Sequence, residues 1–230
     1  MGFDPTALKF VEALRVLYAY SDKTIEERVC FYGRLGLSVG DVWEMFKKCP
    51  FFLNFSEKKI AQTFETLKKC GLLEEEILSV FKTSPRCIGT SEQGIATSVE
   101  TFIGLGFSRD EFAAMVKHFP SSLNYSAETV KKKSEFVVNQ MKWPLKAVAL
   151  FPQVLGYSFE KRIVPRCNVI KALLSRGLLR NKLPPLSTVL AITDQAFLNK
   201  YVKKLDDEEL VNELMGYLHQ SSCFKDQKGL

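Results

Sequence analysis

The chain has 230 residues, of which 46% are hydrophobic, and its formal net charge at pH 7 is +6. This length suits one domain or a modest repeat array, and the apolar content is sufficient for a buried core. The six cysteines include no Cys-x-x-Cys pair, and the two histidines, His118 and His219, lack metal-like spacing to them. We therefore expect free thiols in a reducing compartment, no metal and no cofactor. No apolar run approaches the length of a membrane span, so a membrane partner is not expected either.

The chain begins in the middle of a repeating unit. Gly2-Phe3 matches the later inter-helix turn Gly106-Phe107, so residues 1–20 read as a half repeat whose first helix is missing. We expect the natural protein to extend further towards its N-terminus. No basic, acid-poor targeting segment precedes this turn.

A ten-residue pattern then occurs four times and organises the chain. It reads Lys-x-x-Pro-x-x-(Leu/Ile)-(Asn/Gly)-x-Ser, and its prolines are Pro50, Pro85, Pro120 and Pro152. Their spacings of 35, 35 and 32 residues are typical of stacked repeats. Proline ends a helix, the next residues suit a 3₁₀ turn, and the serine is a favourable N-cap for the following helix. The Asn or Gly four residues after each proline predicts a left-handed reversal of the backbone.

Each complete repeat is predicted to contain helix A, a glycine turn, helix B and the proline turn. The predicted repeats span 21–55, 56–90, 91–125, 126–157 and 158–182. The fourth repeat is three residues shorter than those before it and lacks the turn glycine.

A proline-rich step at 183–185 breaks the pattern. Residues 183–230 are predicted to form two short acidic capping helices, near 194–204 and 206–219, followed by a frayed tail. No segment reads as a strand. We therefore predict an all-α fold, a curved α-solenoid of either hand, built from helix–turn–helix–3₁₀ repeats of about 35 residues.

Positive charge is concentrated in the fourth and fifth repeats. Residues 126–157 carry a net charge of +3 and residues 158–182 carry +6, whereas the rest of the chain sums to −3. A basic block inside a repeat array indicates a polyanionic partner.

Three lysines recur three residues before the proline, namely Lys47, Lys82 and Lys117, whereas the fourth copy has Ala149. In a solenoid such residues align in a row, which can meet successive phosphates. The alternative is structural, because the helix dipole favours lysine in the last turn of a helix without any ligand.

Further candidates lie in the basic block. Lys131, Lys132 and Lys133 open a helix, where the dipole disfavours positive charge, so their presence there favours a nucleic-acid-binding role. The alternative is a solvated face of the helix. The principal phosphate-binding candidates are the basic residues of the fifth repeat: Lys161, Arg162, Arg166, Lys171, Arg176 and Arg180. The planar fork of arginine suits phosphate. Aromatic residues are expected in the core, and Trp143 is the least certain of them.

The repeat resembles that of the mitochondrial transcription termination factor (mTERF) family, and the resemblance covers residues 1–205. The phrases that look like the plant branch of this family are Leu35-Gly36-Leu37-Ser38, Phe46-Lys47-Lys48-Cys49-Pro50 and Arg162-Ile163-Val164-Pro165-Arg166-Cys167. The resemblance implies a curved α-solenoid that binds nucleic acid along a basic groove in mitochondria or chloroplasts.

The resemblance also implies a function. It points to a non-catalytic regulator that binds duplex DNA as a monomer and acts in transcription termination or regulation, with RNA processing or intron splicing as the alternative. No nucleophile–base constellation, phosphate loop or metal motif appears, so an enzyme is not expected. Two other classes remain open: a protein-interaction solenoid with repeats of similar length, and an RNA reader that uses one repeat per base.

Overall fold

The computed structural model describes residues 2–179 and 182–219. Within these ranges all regular secondary structure is helical, with thirteen α-helices and no strand. This confirms the predicted all-α helical-repeat solenoid. Contacts between residues divide the chain into two compact units, Met1–Ala127 and Glu128–Leu230.

The first unit contains seven α-helices in its described part. They are α1 (Leu8–Ala19), α2 (Asp22–Arg34), α3 (Val39–Lys48), α4 (Glu57–Lys69), α5 (Glu74–Thr83), α6 (Glu92–Gly104) and α7 (Arg109–His118). The 3₁₀ turns that follow α3, α5 and α7 are Pro50–Asn54, Pro85–Gly89 and Pro120–Asn124. The predicted order of helix, glycine turn, helix and proline turn is therefore confirmed in three successive repeats.

Serine caps and buried apolar residues explain why these helices form where they do. The hydroxyls of Ser21, Ser56 and Ser91 accept hydrogen bonds from backbone amides three residues later, at 3.0–3.3 Å, and so cap α2, α4 and α6. Between helices A and B the rings of Phe102 and Phe112 meet at 5.5 Å, and both side chains are buried. Each such side chain contributes about 1.5–3 kcal/mol by leaving water.

The left-handed residue of each repeat lies in the glycine turn. Gly36, Gly71 and Gly106 have φ of 97–100°, a region that residues with a Cβ rarely adopt. After Gly106 the amide of Phe107 donates to the carbonyl of Phe102 at 3.1 Å, which closes a Schellman turn.

The predicted left-handed reversal in the proline turn is wrong. Asn54, Gly89, Asn124 and Gly156 are absent from the described residues with positive φ. No reversal is needed, because the next amide bonds back to the turn, as Phe55 N does to the Phe52 carbonyl at 3.2 Å.

Glycine at position 89 is instead explained by close approach. A Cβ there would lie 2.5 Å from Cζ of Phe55, which belongs to the preceding proline turn. The small residue therefore lets successive turns pack against each other.

The second unit contains the remaining α-helices and is less regular. They are α8 (Ala127–Glu135), α9 (Leu145–Leu150), α10 (Val164–Ser175), α11 (Leu186–Leu190), α12 (Asp194–Tyr201) and α13 (Glu208–His219). A 3₁₀ turn spans Pro152–Gly156, and π-helical turns span Phe136–Gln140 and Phe159–Ile163. α12 and α13 occupy the segment predicted to hold two short capping helices, whereas the predicted frayed tail at 220–230 lies outside the described residues.

Two details show that the second unit follows the same repeat spacing as the first. Lys142 takes the place of the missing turn glycine and has φ of 63°, the one positive φ among described non-glycine residues. The hydroxyl of Thr193 accepts from the amide of Ala196 at 3.2 Å and caps α12. Thr193 follows the capping residue Ser158 by 35 residues, so the repeat spacing extends through the proline-rich step.

Candidate nucleic-acid interface

The row of lysines before the prolines is occupied by ion pairs. Lys47 pairs with Glu44 of its own helix at 2.5 Å. Lys82 reaches Asp41 at 3.6 Å and Lys117 reaches Glu76 at 2.7 Å, and each of these carboxylates belongs to helix B of the preceding repeat. Pairs this exposed contribute at most about 1 kcal/mol each. A phosphate would have to compete with a carboxylate for every one of these ammonium groups.

The same carboxylates also cap their own helices. Asp41 accepts from the amide of Ser38 at 3.0 Å, and Glu76 accepts from the amide of Leu73 at 3.0 Å. Hydrogen bonding to the Lys117 ammonium, and then to the Leu73 amide, holds the pKa of Glu76 below its usual range. Lys82 and Lys117 therefore each join the end of one helix B to the start of the preceding helix B, whereas Lys47 pairs within its own helix.

Lys133 is buried and does not face solvent. Its Nζ donates to the carbonyls of Leu155 and Tyr157, both at 2.7 Å, in the proline turn of its own repeat. Burial lowers the pKa of this ammonium. The side chain satisfies backbone carbonyls that would otherwise be orphaned, so Lys133 has a structural role in this unit.

Arg166 has the same role in the following repeat. Its guanidinium, only 2% exposed, donates to the carbonyls of Val189 and Ile192 at 2.9 and 2.8 Å and to the carboxylate of Asp194. It also lies 4.8 Å from the ring centroid of Phe197. A phosphate has no access to a guanidinium buried in this way.

Arg162 supports the same turn from its surface side. Its Nε and Nη2 donate to the carbonyls of Leu190 and Ile192 at 2.9 and 2.7 Å, and it lies 4.7 Å from the ring centroid of Tyr157. Two of the six principal candidates therefore hold the backbone between α11 and α12.

The first unit shows the same device with other donors. Seven residues after the helix-A cap, Arg28 donates to the carbonyls of Leu53 and Phe55, and Thr63 donates to the carbonyl of Ile88 at 2.8 Å. The sequence contained this signal, because Arg28, Thr63 and Lys133 are donors that lie seven residues after Ser21, Ser56 and Ser126.

Arg176 is paired and Arg180 lies outside the described residues. Arg176 contacts Glu213 of α13 at 2.6 Å, and the other oxygen of that carboxylate accepts from the hydroxyl of Tyr217 at 2.9 Å. Trp143, the least certain aromatic residue, is buried, and its indole donates to the carbonyl of Pro184 at 2.8 Å. Its ring is part of the core of the second unit.

Four of the predicted lysines remain exposed or half-exposed in the second unit. Lys131 and Lys161 are exposed and form no ion pair within the described ranges. Lys171 lies 5.6 Å from the ring centroid of Phe136. Lys132 lies 4.3 Å from the ring centroid of Phe159 and pairs with Glu160 at 3.0 Å. These four side chains are the predicted phosphate-binding lysines of this unit that a ligand can reach.

Lys131 and Lys132 border a groove of about 580 Å³, which we call the aromatic groove. Its lining residues are Glu128, Lys131, Lys132, Glu135, Phe136, Asn139, Gln140 and Phe159. The rings of Phe136 and Phe159 meet edge to face at 5.1 Å. Sequence reasoning missed Phe136, Asn139, Gln140 and Phe159, although the first three follow Lys132 at the four-, seven- and eight-residue spacing of one helix face.

Two kinds of feature are absent from the described part of the chain. No cluster of three or more His, Cys, Asp or Glu side chains is placed to hold a metal ion there. None of the described helices is both long and apolar enough to span a bilayer.

Serine-capped α-hairpins closed by proline 3₁₀ turns define a helical-repeat protein. The chain belongs to the mTERF family, whose family model matches residues 5–198, and this confirms the family predicted from the repeats. The chain is also similar to transcription termination factor MTERF15, mitochondrial, from Arabidopsis thaliana, with 42% identity over 53 residues. That match covers 23% of this chain and 12% of the relative, so the chain spans only a small part of the length of this relative.

Proposed function

We propose that this protein is a non-catalytic, nucleic-acid-binding regulator of organellar gene expression. In this proposal it binds duplex DNA as a monomer, in mitochondria or chloroplasts, and acts in transcription termination or regulation by obstructing the polymerase. Membership of the mTERF family supports the class of function. The plant relative is named as a mitochondrial transcription termination factor, which supports an organellar site of action.

The observation that carries the proposal is the set of accessible lysines in the second unit. Lys131, Lys132, Lys161 and Lys171 keep their ammonium groups at or near the surface, whereas Lys133 and Arg166 are buried. Lysines bind the phosphate backbone as point charges and carry no sequence information. We therefore expect binding that depends strongly on salt and weakly on base sequence.

The test is a titration of duplex DNA against salt with a charge-reversed variant. Lys131→Glu with Lys161→Glu removes two accessible cations without touching a buried one. Each phosphate that is no longer neutralised reduces the slope of log K against log salt by roughly 0.9 on B-DNA. The double variant is expected to bind more weakly and to show a slope that is smaller by roughly 1.8, because two phosphates are no longer neutralised.

A matched control distinguishes loss of specific lysines from a general loss of positive charge. Lys9→Glu with Lys58→Glu makes the same change of net charge at two exposed residues of the first unit, neither of which forms an ion pair within the described ranges. This control is expected to retain most of the affinity. Absence of binding by the wild-type chain at low salt, or an equal loss in both double variants, contradicts the proposal.

RNA is the second candidate ligand, and a specific observation favours it. The aromatic groove offers rings and side-chain amides beside lysines, a combination suited to unpaired bases. Running the titration with duplex DNA, duplex RNA and a hairpin RNA with a large loop separates the two ligands. Clear preference for the hairpin would move the proposed role from termination to RNA processing or splicing.

A further inference from the structure

Two π-helical turns border the aromatic groove. Phe136–Gln140 ends helix A of the fourth repeat, and Phe159–Ile163 begins helix A of the fifth. π-turns are rare and occur frequently at functional sites. Here one of them contributes Phe136, Asn139 and Gln140 to the lining, and the other contributes Phe159. Both irregularities of the unit thus shape one surface feature.

The groove has the volume of a small-ligand site and a mostly polar lining. Its volume of about 580 Å³ lies within the range of roughly 300–1,000 Å³ that is usual for such sites. Asn139 and Gln140 are exposed and offer both donors and acceptors. Glu128 and Glu135 add carboxylates that accept hydrogen bonds, while Lys131 and Lys132 supply positive charge.

The position of Lys132 shows how a ring face becomes available. Its ammonium lies 4.3 Å from the Phe159 centroid and pairs with the exposed carboxylate of Glu160. Both side chains of this pair are more than half exposed, so the pair itself is weak. A phosphate at the rim would compete with Glu160 for this ammonium, and its departure would leave the ring face open to a planar base.

We propose that the aromatic groove binds one unpaired nucleotide of a single strand, with its base over Phe159 and its phosphate at Lys131 and Lys132. This inference rests on the proposed nucleic-acid-binding function and names the ligand of one part of its surface. The carboxylates of Glu128 and Glu135 accept hydrogen bonds from exocyclic amino groups. The side-chain amides of Asn139 and Gln140 pair with base edges. The groove therefore favours adenine or cytosine, which carry such amino groups, over uracil, which has none.

The experiment measures fluorescence anisotropy of labelled twelve-nucleotide probes with the intact chain. The probes are oligo(rA), oligo(rC), oligo(rU) and oligo(dA), together with a DNA duplex of the same length. The variant Phe159→Leu keeps an apolar side chain against Phe136 and removes the aromatic face. Stacking of a base on an aromatic side chain is worth roughly fivefold or more in affinity. Phe159→Leu is expected to weaken oligo(rA) by about fivefold or more, and to leave the duplex nearly unchanged.

Three further comparisons test whether the groove itself is responsible for the binding. Phe51→Leu makes the same substitution at an exposed phenylalanine of the first unit and is expected to leave every affinity unchanged. Asn139→Ala tests the groove without altering an aromatic contact and is expected to reduce the preference for oligo(rA) over oligo(rU). Equal affinities for oligo(rA) and oligo(dA) show that the groove recognises the base alone. A higher affinity for oligo(rA) shows that it also recognises the 2′-hydroxyl of the ribose.

The outcomes separate this inference from the function on which it rests. If the wild-type chain binds neither duplex nor single strand at low salt, the proposed function fails and the inference fails with it. If the duplex binds but Phe159→Leu and Asn139→Ala leave every single-strand affinity unchanged, only the nucleotide site is overturned. Loss of single-strand affinity in Phe159→Leu, with the Phe51→Leu control intact, supports the site.

Discussion

The two units contain similar repeats but use their cations differently. In Met1–Ala127 the recurring lysines Lys82 and Lys117 pair with carboxylates of the preceding repeat. In Glu128–Leu230 two cations, Lys133 and Arg166, are buried as donors to backbone carbonyls, whereas Arg28 of the first unit makes such bonds without being buried.

This difference shows that the position of a cation within the repeat decides its role. A donor seven or eight residues after the helix-A cap satisfies backbone carbonyls shortly before the next helix cap, whether it is Thr63, Lys133 or Arg166. Cations at other positions differ: Lys131 and Lys161 are exposed, whereas Arg162 and Arg176 have partners of their own. Net charge therefore overstates the surface that a polyanion meets, because some of that charge lies inside the fold.

The largest expected loss of stability follows from substituting Arg166, whose guanidinium donates to several backbone carbonyls. Arg166→Met leaves the Val189 carbonyl without its donor and removes one of the two donors to the Ile192 carbonyl, the other being Arg162. An orphaned buried carbonyl costs about 1–3 kcal/mol. We expect a loss of about 3 kcal/mol in the free energy of unfolding of the second unit. Thr63→Val, at the corresponding position of the first unit, removes one hydrogen bond and should cost about 1 kcal/mol.

Each unit contains one tryptophan, which makes this comparison measurable. Urea unfolding followed by fluorescence in a Trp43→Phe background reports on Trp143 in the second unit, and a Trp143→Phe background reports on Trp43 in the first. Arg166→Lys retains the charge without the planar fork and should fall between the wild type and Arg166→Met. Equal costs for Arg166→Met and Thr63→Val would contradict the structural role assigned to Arg166.

Periodic features of the fold were predictable from the sequence. The prolines, the capping serines and the buried residue three positions after each proline, such as Leu53 and Ile88, lie where the repeat pattern places them. The role of Gly89 was not predictable, because it depends on a contact with Phe55 of another repeat. Sequence spacing reports which residue types recur, and it does not reveal which atoms meet across repeats.

The candidate site was less predictable for the same reason. Positive charge directed attention to Arg162 and Arg166, yet their partners are carbonyls more than twenty residues away in the chain. The π-turns that line the aromatic groove shift the helix register by one residue, and no residue type marks them. Only Lys131 and Lys132, among the lining residues, were distinguished by their charge.

A smaller effect on stability is expected from a substitution at Lys142, which stands in the second unit where the repeats of the first unit have a turn glycine. Lys142 has φ of 63°, which costs a residue with a Cβ about 1–2 kcal/mol relative to glycine, partly offset by the greater unfolded-state entropy of glycine. Lys142→Gly should therefore raise the free energy of unfolding by about 0.5–1 kcal/mol. The measurement is urea unfolding followed by Trp143 fluorescence.

Two controls separate backbone strain from charge at this turn. Lys142→Ala removes the charge and keeps the Cβ, so it should give no gain in stability. Gly106→Ala places a Cβ at a φ of 98° in the first unit and should lose about 1 kcal/mol. A gain in Lys142→Ala as large as that in Lys142→Gly would assign the effect to charge.

The smallest expected effect on stability concerns the ion pairs of the first unit, and it is visible only when the pH is lowered. The pKa of Glu76 is lowered in the folded chain, mainly by the Lys117 ammonium, so its contribution to stability is present above the unfolded pKa of about 4.5 and is lost as pH falls through the folded value. Between pH 5 and pH 3 at low salt, the wild-type Tm should fall further than that of Glu76→Gln, which cannot titrate at this position. Glu100→Gln, at an exposed residue that forms no ion pair with the described residues, is the matched control and should follow the wild type. If Glu76→Gln and Glu100→Gln lose the same Tm over this range, the Lys117–Glu76 pair does not join helix B of one repeat to the next, and Lys117 is free to meet phosphate.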